Sequence, residues 1–198
     1  MMSESDLRDT ERKIYLSYFD DGILDIVAGL PILSFGLGMV FDASLFFILT
    51  GLPIILYWPL KQAITLPRMG YVKFNPERQR KISRSMVLLL VAGSLSLLLG
   101  IVVFSGMQGQ AFHLRDFMME FGLLLFGAVM AGAFVLISIF FEIKRFMGYA
   151  ALIFGGWLSA YLLGIEAGIP VAIAGGAIVL IGLAFLVNFM IKYPVPSE

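Results

Sequence analysis

The sequence predicts an all-α polytopic membrane protein, a bundle of six transmembrane helices preceded by an amphipathic N-terminal interfacial helix. Three observations support this prediction: 60% of the 198 residues are hydrophobic, only 14% are charged, and the apolar residues form six long runs. A soluble domain is typically about 45–50% apolar and about 25% charged. The composition therefore excludes an ordinary water-soluble globular protein.

The six runs define the predicted spans. A spanning helix needs about 20 predominantly apolar residues, and six stretches reach or approach this length. They cover residues 22–41, 43–60, 86–107, 117–141, 147–165 and 167–191. With a basic hairpin at 61–85 they form a transmembrane domain over 22–192, and 193–198 is predicted to be a cytoplasmic tail.

Lysine and arginine concentrate on one side of these spans. Three precede the first span, seven lie between the second and third, two follow the fourth and one ends the sixth, whereas only Arg115 falls on the other side. Basic residues that flank short spans stay in the cytoplasm. Both termini are therefore expected in the cytoplasm, and the expected location is a cell membrane, the inner membrane of a bacterium, with the lipid bilayer as partner.

The first 21 residues mix acids and bases and do not resemble a secretory signal. Leu7, Ile14, Tyr15 and Tyr18 share one side of a helical wheel. We expect an amphipathic helix along the inner membrane surface, with a solvated helical lead-in to the first span as the alternative. Further along, residues 66–74 are expected to be extended and turning because Pro67 and Gly70 interrupt them.

Ionisable residues inside a span are costly unless they are paired, so each is a candidate polar contact. Asp20, Asp21 and Asp25 lie at the inner end of the first span, and Glu120 lies near the outer end of the fourth. In a functional role, Asp25 would contact a cation, a proton or a substrate amine. The alternative is a structural Asp25 paired with Lys61, Arg145 or a backbone donor.

The basic hairpin offers a second set of candidates. Its bases can contact anionic lipid headgroups or a protein partner, at about 1 kcal/mol per charge for lipid. Positive-inside topology alone is the alternative explanation. The residues concerned are Arg68, Lys73, Arg78, Arg80, Lys81 and Arg84.

Small residues recur at helical spacing in several spans and predict close helix packing. Glycines repeat every seven residues in the first span, and again in the last span as Gly168, Gly175 and Gly182. Asp25 lies between two glycines of the first repeat, so it should face a neighbouring helix. Self-association through the sixth helix and packing within one chain are both open.

A matched pair of Gly-Leu-Pro segments, at residues 29–31 and 51–53, interrupts the first two spans. Paired breaks in corresponding helices can mark a transport site, although ordinary kinks are commoner.

The sequence gives little support for a catalytic site or a metal site. The chain has no cysteine and one histidine, and serine-protease, aspartyl-protease, zinc and phosphate-loop motifs are absent from the sequence. We therefore expect no enzyme activity, no catalytic residue, no metal and no cofactor. Fourteen bases balance fourteen acids, so nothing indicates a nucleic-acid partner.

These observations favour a small non-enzymatic inner-membrane subunit, a scaffold or regulatory partner that uses its basic cytoplasmic surface and its small-residue helix faces. The alternative is a transmembrane transport component for a small solute or ion, with Asp25 or Glu120 as its polar contact.

Overall fold

The computed structural model describes residues 17–69 and 112–194, with residues 112–120 described by their backbone alone, and these ranges contain helices and turns but no strand. The predicted all-helical class is therefore confirmed for the described part of the chain. Most of the predicted interfacial helix (residues 1–16), the third predicted span (86–107) and the last four residues lie outside it.

Four of the described helices are long and apolar enough to cross a membrane, which indicates a multi-pass membrane protein: Ile23–Phe41, Phe121–Phe141, Arg145–Leu163 and Gly168–Lys192. In chain order the helices are α1 (Ile23–Phe41), α2 (Ser44–Leu49), α3 (Leu52–Leu60), a π-helical turn (Lys61–Thr65), α4 (Leu66–Met69), α5 (Phe112–Phe141), α6 (Arg145–Leu163) and α7 (Gly168–Lys192). The chain forms two compact units, one of residues 1–74 with 166–198 and the other of residues 75–165.

Interlocking glycines hold α1 against α7 in the first unit. A Cβ atom added at Gly36 would lie 2.4 Å from the backbone nitrogen of Ala172, and one added at Gly175 would lie 2.2 Å from that of Leu33. Distances this short mean that the two helix backbones touch. The heptad glycines of the last span therefore pack against the first helix within the chain, in an antiparallel pair.

The second predicted span, 43–60, consists of two short helices. α2 ends at Leu49 and α3 begins at Leu52, with Pro53 in the first turn of α3, where a missing N–H costs no intrahelical bond. In contrast, α1 continues through Pro31. Only one of the two Gly-Leu-Pro segments thus coincides with an interruption, and the matched pair of breaks does not form.

The helix that begins at Leu52 continues, through the π turn, to Met69. The prediction of extended chain from residue 66 is therefore wrong for Leu66–Met69, whereas 70–74 lie outside the described residues. The Leu66 N–H bonds to the carbonyl of Lys61, five residues back. This wider turn immediately before Pro67 changes the local bonding pattern, so the proline, which has no N–H to donate, does not end the helix.

In the second unit, α5 and α6 form an antiparallel pair packed through aromatic rings. Trp157 lies against Gly127, where an added Cβ would come within 2.5 Å of the tryptophan Cβ. The Trp157 ring also meets the Phe126 ring edge-on, with centroids 5.2 Å apart. Near the ends of the pair, stacked rings join Phe121 to Tyr161 and Phe134 to Phe146.

Candidate functional site: a buried charged cluster

Three polar side chains, Asp21, Lys61 and Thr65, form a buried cluster in the first unit. The Lys61 Nζ lies 2.7 Å from Asp21 Oδ2, and the two side chains are only 1% and 0% exposed. The Thr65 hydroxyl donates to the same carboxylate oxygen over 2.5 Å. We call these three residues the Asp21 cluster.

Local backbone geometry explains how the cluster forms. Gly22 adopts a left-handed conformation, φ 72°, immediately before α1, and the preceding Asp21 accepts a hydrogen bond on Oδ1 from the Ile23 N–H over 3.1 Å. This bond satisfies one of the free N–H groups at the start of the helix. On the other side of the contact, the π-helical turn contains Lys61 and Thr65, which are four residues apart. Both side chains contact the same carboxylate.

Aromatic rings surround the ammonium of Lys61. Its Nζ lies 3.7 Å from the centroid of the Tyr18 ring and 5.1 Å from that of Phe19. It also donates a hydrogen bond to the Tyr18 carbonyl oxygen over 2.5 Å. Cation–π contacts of this kind gain strength when water is excluded. The ammonium is thus held by a carboxylate, a carbonyl and the face of an aromatic ring.

Asp25, in the first turn of α1, adds a second carboxyl group, and its side chain is fully buried. A Cβ added at Gly182 would lie 2.9 Å from the Asp25 Cβ, so Asp25 faces the α1–α7 interface. The sequence predicted Lys61 as one possible partner of Asp25. In the structure, the ion pair that Lys61 forms at 2.7 Å is with Asp21.

The three aspartates at the start of α1 therefore occupy different environments. Asp21 and Asp25 are buried, whereas Asp20 is exposed and lines a small cavity near the end of α7. Among the other candidates, Arg68 is half-buried, and its Nη1 donates to the carbonyl of Ile64 over 2.8 Å.

The remaining predicted contacts lie wholly or partly outside the part of the chain that the structure describes. The backbone of Glu120 lies in α5, and its side chain is outside the description. The other five residues of the basic hairpin set lie outside the described residues: Lys73, Arg78, Arg80, Lys81 and Arg84. Within residues 17–69 and 112–194, no group of three His, Cys, Asp or Glu residues could hold a metal ion.

Thr65 was not among the site residues predicted from the sequence, and Lys61 was predicted only as part of the basic cytoplasmic hairpin or as a partner of Asp25. One signal was available: Lys61 and Thr65 are four residues apart at the end of an apolar run, which places them on one helix face. Their common partner, Asp21, lies 40 positions from Lys61 and 44 positions from Thr65 in the chain. Only folding could reveal it.

Comparison of the chain with protein-family models, with curated proteins and with solved structures gives no match in any of the three.

Proposed function

We propose that this protein is a small non-enzymatic membrane subunit that serves as a scaffold or regulatory partner. One observation carries the proposal: the charges of Asp21 and Lys61 are buried and neutralise each other at 2.7 Å. A transport site needs polar groups that can exchange a protein partner for a solute. In the Asp21 cluster the same groups instead tie the start of α1 to the helical stretch after α3.

The packing of α7 is consistent with a rigid scaffold. Its glycine face is closed against α1 by direct backbone contact. The opposite face carries large branched side chains at the same heptad spacing, Ile173, Leu180 and Val187, which are 66%, 68% and 57% exposed. In a membrane this face meets lipid, another helix of this chain or a helix of a partner protein, and the proposal assigns it to a partner.

The topology that we propose has six spans and both termini in the cytoplasm of a bacterial cell. Its support is the distribution of Lys and Arg along the sequence together with the four apolar helices. Because the chain has no cysteine, one introduced cysteine is a unique reporter. A cysteine replacing Glu166 is expected to react with an impermeant maleimide added to intact cells, whereas one replacing Lys144 should react only after lysis. Labelling of both from outside would refute the six-span topology.

Site-specific photocrosslinking tests the scaffold role. A photoreactive amino acid at Leu180 is expected to give one discrete protein adduct in native membranes, because a specific partner helix would cover this face. The same probe at Ile153, which is 1% exposed inside the second unit, is the control and should give no adduct to another protein. Crosslinks to lipid alone at Leu180 would contradict the proposal.

Reconstitution separates this role from transport. We expect purified protein in proteoliposomes to move no small solute or ion above the level of empty vesicles. A flux that is present in the wild type and lost in Asp25→Asn, with the helical content unchanged, would establish the transport alternative and overturn the scaffold proposal.

A further inference from the structure

The outer face of α7, which points away from the glycines that contact α1, carries a regular row of side chains. Spacings of four and three residues alternate along this row from residue 173 to residue 191, over a length of about 27 Å. Such spacings keep a row on one side of a helix that supercoils with another. We call this row the α7 seam, and its six members are Ile173, Ala177, Leu180, Ala184, Val187 and Ile191.

Large and small residues alternate along most of the α7 seam. Ile173, Leu180 and Val187 are more than half exposed and form a line of knobs. Ala177 is half-buried and Ala184 is exposed, and each lies between two knobs, where its short side chain leaves a hole. Fluid acyl chains fit an apolar surface of any shape, whereas helices in a membrane associate by close packing around small residues. The shape of the seam therefore favours a helix over lipid.

The α7 seam is complementary to itself, because one surface carries both the knobs and the holes. Two copies of the chain have the same orientation in one membrane, so a twofold axis along the membrane normal brings their seams together in parallel. None of the six seam residues is charged, so this pairing places no like charges against each other. A second copy thus fits the seam without requiring a partner of different sequence.

We infer that the helix covering this face is α7 of a second copy of the chain, in a parallel, left-handed pair. The inference rests on the proposed scaffold role, in which a protein helix covers the face, and it names that helix. The four large seam side chains are 57–75% exposed. They offer roughly 500 Å² per copy, so a symmetric pair buries roughly 1,000 Å² in total, which reaches the size of a specific interface. Leu183, beside the seam and 43% exposed, adds to this area.

Disulfide trapping in native membranes tests the pair, because the chain has no cysteine of its own. Equivalent residues of the two copies face each other in a parallel twofold pair, so Leu180→Cys and Ala184→Cys should each oxidise to a covalent dimer of twice the chain mass. Ile181→Cys is the matched control. Ile181 is 40% exposed at the same depth but lies about 100° around the helix from Leu180, so this variant should give about tenfold less dimer. Equal yields at the two positions would indicate random collision and overturn the inference.

Filling a hole of the seam tests the packing. In the Leu180→Cys protein, the additional change Ala184→Phe should lower the dimer yield by about tenfold, because the ring occupies space that a knob of the other copy needs. Ile181→Phe adds the same ring outside the seam and should leave the yield unchanged. A yield that Ala184→Phe does not lower would overturn the inference.

The photoreactive amino acid at Leu180 separates the failure of this inference from the failure of the scaffold proposal. An adduct between two copies of the chain supports both. An adduct with a different protein supports the scaffold role and overturns the pair. Crosslinks to lipid alone, or within a single chain, overturn both. A trapped dimer that moves a solute across proteoliposomes would support the pair and overturn the scaffold role.

Discussion

Replacing Lys61 by methionine is expected to destabilise the protein by about 3–5 kcal/mol, the usual cost of leaving one member of a buried ion pair alone. Methionine keeps most of the volume of the lysine stem and cannot neutralise Asp21. The carboxylate would retain its bonds from the Ile23 N–H and the Thr65 hydroxyl. Those two neutral donors do not replace a full positive charge.

The magnitude follows from the geometry of the pair. At 2.7 Å between Nζ and Oδ2, two unit charges attract by about 6 kcal/mol at an effective dielectric constant of about 20. Removal of both ions from water costs several kcal/mol each, so the intact pair contributes little net stability. The double variant Asp21→Asn with Lys61→Met, which buries no charge at this position, should therefore recover most of the stability lost in either single variant.

The measurement is SDS-induced unfolding of the purified protein in mild detergent, followed by helical circular dichroism. The double-mutant cycle gives a coupling energy between the two residues, and Lys144→Met, which changes an exposed lysine, is the control with an expected effect near zero. A Lys61→Met protein as stable as the wild type would refute the argument. So would a double variant in which the two losses simply add.

Three glycine substitutions test the helix contacts, each measured as the change in free energy of unfolding in the same assay. Gly22→Ala should cost more than about 3 kcal/mol, because a Cβ there would lie 2.1 Å from the Gly182 carbonyl oxygen at φ +72°. At Gly164, φ +63°, an added Cβ would meet no atom of the described residues within 4 Å, so Gly164→Ala should carry only the left-handed strain of about 1–2 kcal/mol. Equal effects of the two substitutions would contradict the close contact at Gly22. Gly175→Ala should separate α1 from α7, since the added Cβ would overlap backbone atoms. Gly155→Ala should be neutral or stabilising, because within the described part of the chain its Cβ would have no neighbour closer than 4 Å. Gly127→Ala should cost about 1–3 kcal/mol by displacing the Trp157 side chain, and a neutral result there would show that the ring does not pack as described.

Several features of the fold could be predicted from residues close together in the chain. Apolar runs of spanning length identify helices such as Ile23–Phe41 and Gly168–Lys192, because the cost of exposing backbone groups to lipid allows only helix over such a run. The seven-residue repeat of glycines likewise indicates a face for close packing. The positions of the prolines predicted helix ends less well. Pro31 and Pro67 both lie within helices, since neighbouring hydrogen bonds adapt to the missing N–H.

The linear sequence thus determined the helical class and the membrane environment through its composition, its periodicity and its distribution of charge. It also showed an acidic cluster at Asp20, Asp21 and Asp25. Tertiary structure alone decided what each acid does. It paired Asp21 with a lysine from another helical stretch, buried Asp25 against α7 and left Asp20 at a cavity. The reason is physical: hydropathy depends on neighbouring residues, whereas burial and ion pairing depend on contacts between segments 40 or more residues apart, such as Lys61 with Tyr18 at a separation of 43.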